Sequence, residues 1–237
     1  MRIDWRPEVT VTNSVVGYQV RGEVALIQFD DGKANVISPD SLAALCDAFD
    51  RAAEESSCVV WTGRPGRFCA GFDLKVISAG GQSAVDLLTR GAELAIRLYS
   101  FPVPVLIGCS GHALGMGALY LMAGDVRLGL QGTFKIGLPE VTMGMTMPAF
   151  GIELCQQRLA TAYLNRAVCC AEIFDPQGAA TAGFFDALAE PEQFQEQLLA
   201  TAEGLVALDR VAHHETKLAV RGASLQRLTA SLNDISL

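Results

Sequence analysis

Three segments hold residues whose types and spacing can do chemistry. The first is Gly63-Arg-Pro-Gly-Arg-Phe-Cys-Ala-Gly-Phe-Asp-Leu-Lys75. Its small residues at Ala70-Gly71 let the backbone approach a ligand closely. A helix opening at Asp73 would turn free amides toward a negative charge, although an ordinary loop fits the same residues. The second is Gly111-His-Ala-Leu-Gly-Met-Gly-Ala-Leu119, a glycine-spaced turn entering an apolar helix. Tyr120 stands where the third glycine of a dinucleotide fingerprint belongs. No Gly-Lys-Ser/Thr follows to make a phosphate loop, and Gly108-Cys-Ser-Gly111 misses the spacing of a nucleophile elbow. Close helix packing is the plain alternative. The third runs from Phe134 to Pro148 and sets Glu140 among apolar residues. A carboxylate so placed has a raised pKa and makes a credible general base near neutral pH; it would equally serve to cap a turn.

The elements that must position these segments follow from the pattern around them. Val24–Phe29 reads as a strand ended by Asp30-Asp31-Gly32. Ser38-Pro39 supplies a helix N-cap and first-turn proline, with Leu42, Leu45, Cys46 and Phe49 at helical spacing behind it. Cys58–Trp61 is a short buried strand, followed by a glycine-broken loop from Thr62 to Gly71. Val85, Leu88, Ala92, Ile96 and Tyr99 form the stripe of a second helix. Strand, helix and strand then repeat through Val105, Met116–Met122 and Val126–Leu128. After about Asp186 the strand signal ends, and Phe194 to Leu208 and Val211 to Ile235 read as helices. The tail is free to pack on its own core or on another subunit.

The chain has 237 residues, 50% of them apolar and 19% charged. That composition provides a large core and excludes wholesale disorder. A net charge of −8 is the wrong sign for a fold-wide nucleic-acid grip. A polyanionic ligand would need a local basic patch. Seven cysteines, two of them adjacent and none in CxxC or Cys/His spacing, indicate neither a disulfide framework nor a zinc site. They suit a reducing compartment, so a cytoplasmic location is expected. Met1–Glu8 lacks the apolar core of a signal peptide. Phe101–Gly124 is free of charged residues but holds two prolines and five glycines, so it breaks into strand, loop and helix and is not a membrane span.

Taken together, Gly32-Lys-Ala-Asn35, Phe68-Cys-Ala-Gly-Phe-Asp-Leu74, Gly111-His-Ala-Leu-Gly-Met-Gly117 and Leu138-Pro-Glu-Val141 resemble the enoyl-CoA hydratase/isomerase (crotonase) family. The motifs stand in the family's order, and the resemblance runs from Val24 into the helical tail. It implies an α/β fold, a right-handed crotonase-like spiral of ββα repeats. Residues 1–187 would form the core with the site. Residues 188–237 would form a C-terminal helical region that builds trimers or dimers of trimers.

The resemblance also implies roles. The backbone N–H groups of Phe72 and Met116 would hold a thioester oxygen as it becomes an enolate, Met116 replacing the commoner glycine. Lys33, Ala34, Ala70, Asp73, Leu74 and Lys75 would take coenzyme A, which enters as part of the substrate with no further cofactor and no metal. Arg64 and Arg67 lie near the same loops, and solvated surface is the expected place of at least one. Gly115 and Leu119 would line the substrate pocket. Family hydratases carry two glutamates, and Leu119 occupies the place of one, leaving Glu140. A single carboxylate suits a 1,3-proton transfer better than addition of water, so a Δ3 to Δ2 enoyl-CoA isomerase is expected. Enoyl-CoA hydratase and a non-catalytic acyl-CoA binder are the alternatives, with Asp86 or Glu93 as conceivable second carboxylates. A related serine protease architecture is excluded by the absence of a nucleophilic serine from Gly117-Ala-Leu119. His112, His213 and His214 are expected to be structural.

Overall fold

The computed structural model describes residues 10–13 and 15–235; the reading of Met1–Glu8 lies outside the described residues. Four successive units each send one strand into a large sheet and then close with helix; the second strand of the later three joins a smaller sheet, while that of the first pairs with Gly71–Phe72 as a separate two-stranded ribbon. The first is Val24–Phe29, Val36–Ile37 and helix Pro39–Glu55; the second is Cys58–Gly63, Gly66–Cys69 and helices Leu74–Ala79 and Gly81–Tyr99. The third is Val105–Cys109, Gly111–Leu114 and helix Met116–Ala123; the fourth is Val126–Leu130, Ile136–Gly137 and helix Ala149–Arg158. This is the expected ββα spiral.

Among the described residues the large sheet has seven strands. It opens with antiparallel Thr10–Asn13, Val16–Arg21 and Val24–Phe29 and continues in parallel through the first strand of each later unit to Ala187–Ala189. Every residue of Cys58–Gly63 and Val105–Cys109 is buried, as parallel strands covered on both faces require. Gly66–Cys69, Gly111–Leu114 and Ile136–Gly137 pair in parallel as the smaller sheet, with Ile173–Phe174 antiparallel at its edge.

Local signals set the helix starts. Ser38 and Ser41 form a reciprocal cap, Ser41 N–H to Ser38 Oγ at 3.2 Å and Ser38 N–H to Ser41 Oγ at 2.9 Å, with Pro39 in the first turn. The glycine-rich stretches correct the sequence reading: Gly66–Cys69, Gly71–Phe72 and Gly111–Leu114 are strands. Cross-strand pairing overrides local propensity there. Gly111 is needed because a Cβ would overlap the backbone of Gly66 on the adjacent strand. The three-residue strand Ala187–Ala189 is likewise silent in the sequence, being too short to show a period.

The C-terminal helices, Phe194–Val206 and Arg210–Ser231, pack on this chain's own core. Lys217 Nζ donates to the carbonyls of Phe101 (2.8 Å) and Val103 (3.2 Å) and to Asp125 Oδ2 (2.6 Å). Arg221 reaches Asp125 Oδ1 at 2.9 Å, and Leu228 is fully buried. Among the described residues no helix is long and apolar enough to cross a membrane.

Candidate active site

The two glycine segments and Glu140 converge. Gly71 adopts φ +90°, and a Cβ there would lie 3.0 Å from the Leu114 carbonyl oxygen and 3.4 Å from Met116 N. The peptides 71–72 and 114–116 are therefore in contact. Asp73 N–H bonds the Ile37 carbonyl at 2.9 Å, and alternation along the strand turns the Phe72 N–H to the opposite side. Met116 is the first helical residue, so its N–H has no acceptor in a preceding turn. Gly115 (φ +54°) makes this abrupt strand-to-helix turn, and its N–H bonds the Gly137 carbonyl at 3.0 Å. Gly117 permits the close approach, since a Cβ there would overlap the Cys69 carbonyl.

Glu140 follows the strand Ile136–Gly137. Its carbonyl accepts from Met143 N–H (3.0 Å) and Met145 N–H (2.9 Å), which holds it at the head of a 3-10 turn, Val141–Met143. A Cβ on Gly115 would be only 3.2 Å from Glu140 Oε1, so the carboxylate lies against the Gly115–Met116 turn. The other oxygen, Oε2, is buried without a hydrogen-bond partner. Burial pushes the carboxyl pKa up, with the residue's own backbone pulling the other way. A buried carboxylate oxygen without a partner is expensive for the fold and useful for proton transfer.

Leu119 is buried on the helix begun by Met116, and its N–H returns to the Gly115 carbonyl at 3.0 Å. A Cβ on Gly151 would meet Leu119 Cδ1 at 3.1 Å and Met147 Sδ at 2.9 Å, so leucine methyls and a thioether fill this wall. Asp86 and Glu93 do not supply a second carboxylate. Both are exposed on the helix Gly81–Tyr99, and Asp86 accepts from Gln82 Nε2 at 2.7 Å.

The expected coenzyme A residues flank the same strands. Ala34 and Ala70 are partly buried neighbours, with Ala70 N–H donating to the Asn35 carbonyl at 3.2 Å. Lys33, Leu74 and Lys75 are exposed. The Asp73 side chain caps the following helix, accepting from Lys75 N–H at 2.9 Å. Arg64 is engaged locally, with Nη1 on the Lys33 carbonyl at 3.1 Å and Nε 3.4 Å from Asp30 Oδ1. Among the described residues no group of three or more His, Cys, Asp or Glu could hold a metal ion.

Asn35 and Asp31 hold the turn between the first two strands of the spiral, and Asn35 does so through contacts that its local sequence does not display. Asn35 is fully buried at φ +57°, and its Nδ2 donates to the carbonyls of Phe29 (2.7 Å), Phe68 (3.1 Å) and Arg67 (3.2 Å). Asp31 Oδ1 accepts from Lys33 and Asn35 N–H and its Oδ2 from Val36 N–H. Burial pushes the Asp31 carboxyl up, but these backbone donors and Arg64 outweigh it and hold it below the usual value. The run Asp30-Asp31-Gly32 followed by an asparagine was the signal for such a turn. Of the three histidines, His112 Nδ1 accepts from Lys135 N–H at 2.9 Å, His214 Nε2 lies 3.3 Å from the Ser100 carbonyl, and His213 Nε2 is buried without a hydrogen-bond partner.

Comparison with known proteins identifies the family. A solved enoyl-CoA hydratase/isomerase family protein from Pseudomonas syringae is 41% identical and superposes with a TM-score of 0.91, covering 93% of this chain and 96% of that one. A Mycobacterium tuberculosis protein is 36% identical with a TM-score of 0.88, covering 93% of this chain and 96% of that one. One structure describes it as an enoyl-CoA isomerase and another as a probable enoyl-CoA hydratase. A Bacillus subtilis protein described as a probable enoyl-CoA hydratase is 30% identical over 131 residues, 54% of this chain. The chain spans about half the length of that curated relative, 50%. Residues 19–234 match the family model for enoyl-CoA hydratase/isomerase, and the chain belongs to that family.

Proposed function

We propose that the protein isomerises 3-enoyl-CoA to 2-enoyl-CoA with Glu140 as the single acid–base group. Glu140 takes the proton from C2 of the substrate, and the electron pair passes through the thioester onto its oxygen. The Phe72 and Met116 N–H groups stabilise that oxyanion, each by about 2.7–4 kcal/mol on the scale of known oxyanion holes. The same carboxyl then returns the proton to C4, leaving the double bond between C2 and C3. A raised pKa suits a group that must both take and return a proton near neutrality.

The observation that carries the reading is Glu140 Oε2, a buried oxygen without a hydrogen-bond partner, together with the apolar wall of Leu119 and Met147 where a second glutamate is missing. Hydration needs a water molecule held and activated, and that wall offers it no polar contact. The M. tuberculosis relative carries both descriptions, isomerase and probable hydratase, and the description of the B. subtilis relative as a probable hydratase keeps hydration as the second reading. Lys33, Ala34, Ala70, Leu74 and Lys75 take the coenzyme A end, with Asp73 shaping the helix start beside them. Trimers or dimers of trimers fit the exposed Val211 and Val220 of the last helix and Leu208 in the turn before it, and sedimentation equilibrium tests that assembly.

The deciding experiment incubates the protein with 3-enoyl-CoA and, separately, 2-enoyl-CoA in deuterated water, read by mass spectrometry. Shifted, deuterated product without added water is expected. Rapid 3-hydroxyacyl-CoA formation would establish hydration instead, and coenzyme A binding without turnover would make the protein a binder.

A further inference from the structure

One glycine behind the site has no backbone reason to be a glycine. Gly91 lies near the middle of the helix Gly81–Tyr99, on its buried face, with Leu87 and Ala95 one turn to either side. Its backbone is helical, a conformation open to any L residue, and glycine weakens a helix interior relative to alanine. What excludes alanine is a neighbour. A Cβ at position 91 would stand 2.5 Å from Phe72 Cε1 and 2.6 Å from Phe72 Cζ, against about 3.5–4.0 Å for carbon atoms in contact. The next nearest atom, Tyr120 Oη, would be 3.7 Å away, in ordinary contact. The edge of the Phe72 ring therefore rests on bare helix backbone, in a notch that the missing side chain leaves.

The ring is one end of a short lever, and the peptide at its other end does chemistry. Phe72 pairs with Ile37, and Asp73 N–H bonds the Ile37 carbonyl at 2.9 Å. These contacts hold one edge of the segment, and the Phe72 N–H lies on the other. A ring pushed off the notch by about 1 Å passes that displacement to the peptide, because the side chain joins it through torsions with few staggered wells. Gly91 also meets the second arm of the site. Tyr120, one turn after Met116 on the helix Met116–Ala123, is fully buried and donates its hydroxyl to the Gly91 carbonyl over a long 3.4 Å. Its ring is tilted against Trp61 at 5.2 Å between centroids. Burial holds the phenol well above its usual value, so the group stays a donor.

We propose that Gly91 is a positioning residue for the oxyanion hole: by seating the Phe72 ring, it sets where the Phe72 N–H points. The inference rests on the enolate reading above, in which that N–H stabilises the thioester oxygen. Placement of such a donor governs rate, since a displacement near 1 Å can cost about 10²-fold. The ground-state thioester is uncharged and gains less from the same donor, so the loss belongs in kcat more than in KM. Glycine at 91 thus weakens its helix and places a donor.

The test is a double-variant cycle in which the same methyl has opposite effects. Gly91→Ala is compared with wild type, and Phe72→Leu/Gly91→Ala with Phe72→Leu, by kcat and KM for the enoyl-CoA that wild type turns over. Rates are taken per coenzyme A-binding site, counted by titration calorimetry, so that unfolded chain does not enter them. Phe72→Leu keeps the main-chain N–H but withdraws Cε1 and Cζ, which empties the notch. In the wild-type background Gly91→Ala should lower kcat about tenfold or more and change KM less than about threefold. In the Phe72→Leu background it refills the notch, so kcat should rise about twofold or more, and Tm by about 2–4 °C from the better helix former. Equal kcat losses in both backgrounds would mean that Gly91 does not act through the ring, and no loss in wild type would mean that the notch positions nothing. Should Gly91→Ala not fold alone, the two Phe72→Leu chains decide: a methyl that adds Tm but no rate makes the notch mere packing and overturns the proposal. In each of these cases the enolate reading stands. Wild type that hydrates 2-enoyl-CoA would overturn isomerisation alone, since both reactions form the enolate, and wild type that turns over neither substrate would overturn the positioning role as well.

Discussion

Leu119→Glu restores a carboxylate at the position where family hydratases carry one, and the packing around it says that restoration alone fails. Leu119 is 2% exposed, and its δ-methyls occupy space that Gly151 leaves open beside Met147 Sδ. Gly151 spends its N–H on the Pro148 carbonyl at 2.9 Å, and a thioether is at best a weak acceptor. Losing the buried leucine costs about 1.5–3 kcal/mol, and a buried acid without a partner adds about 1–3 kcal/mol. A total of about 4 kcal/mol lowers Tm by roughly 8–16 °C in a chain of this length. The new carboxyl would have a folded pKa above its unfolded value of about 4.3. The native state then keeps a proton that the unfolded chain releases, and stability falls as pH rises above that value. Circular dichroism melts at about pH 5 and pH 8 should therefore show the larger deficit at the higher pH, and 2-enoyl-CoA should yield no added 3-hydroxyacyl-CoA. A variant that melts within about 2 °C of wild type and hydrates 2-enoyl-CoA rapidly would refute the dry-wall argument.

Glu140→Gln should slow deuterium exchange at C2 and C4 by about 10²–10⁴-fold, and exchange at the wild-type rate would remove Glu140 as the base. Because burial raises the Glu140 pKa, its ionisation weakens the fold as pH rises through the folded value. The same variant should therefore gain Tm over wild type in alkaline buffer and lose that advantage in acid, and a pH-independent difference would contradict the burial argument. Gly117→Ala forces a Cβ onto the Cys69 carbonyl, so about 1–3 kcal/mol of stability and most of kcat should disappear; an unchanged kcat would mean that Met116 N–H is not needed. Asn35→Ala leaves the Phe29 and Phe68 carbonyls without their donor, at about 1–3 kcal/mol for each left unpaired. Its KM for acyl-CoA should rise more than kcat falls, and equal effects on both would place Asn35 outside coenzyme A binding.

What the sequence could and could not reveal follows from how far each signal reaches along the chain. Glu140 and the peptides of Phe72 and Met116 were legible because each sits inside a short motif. The glycines beside them also have steric work: Gly71, Gly115 and Gly117 each stand where a Cβ would crowd a neighbouring segment. The helix at Pro39 was legible for a similar reason, its cap and first turn being local. Register across strands is not local. Nothing near Gly66 or Gly111 says that these two glycines must cross backbone to backbone, so their strands looked like loops. The same blindness hid Asn35, whose three acceptors lie 6, 32 and 33 residues away, and it hid Gly151, which makes room for Leu119. That last pair bears on mechanism. An apolar residue in place of a glutamate is ambiguous by itself, since a carboxylate from elsewhere could fold into its place. Neither carboxylate named from the sequence folds into it: Asp86 and Glu93 are exposed, and Met147 with Leu119 fills the space that Gly151 vacates. The place of the missing glutamate is thereby a packed apolar site, while Glu140, against the Gly115–Met116 turn, keeps one oxygen unpaired; the proposed proton transfer rests on these two features together.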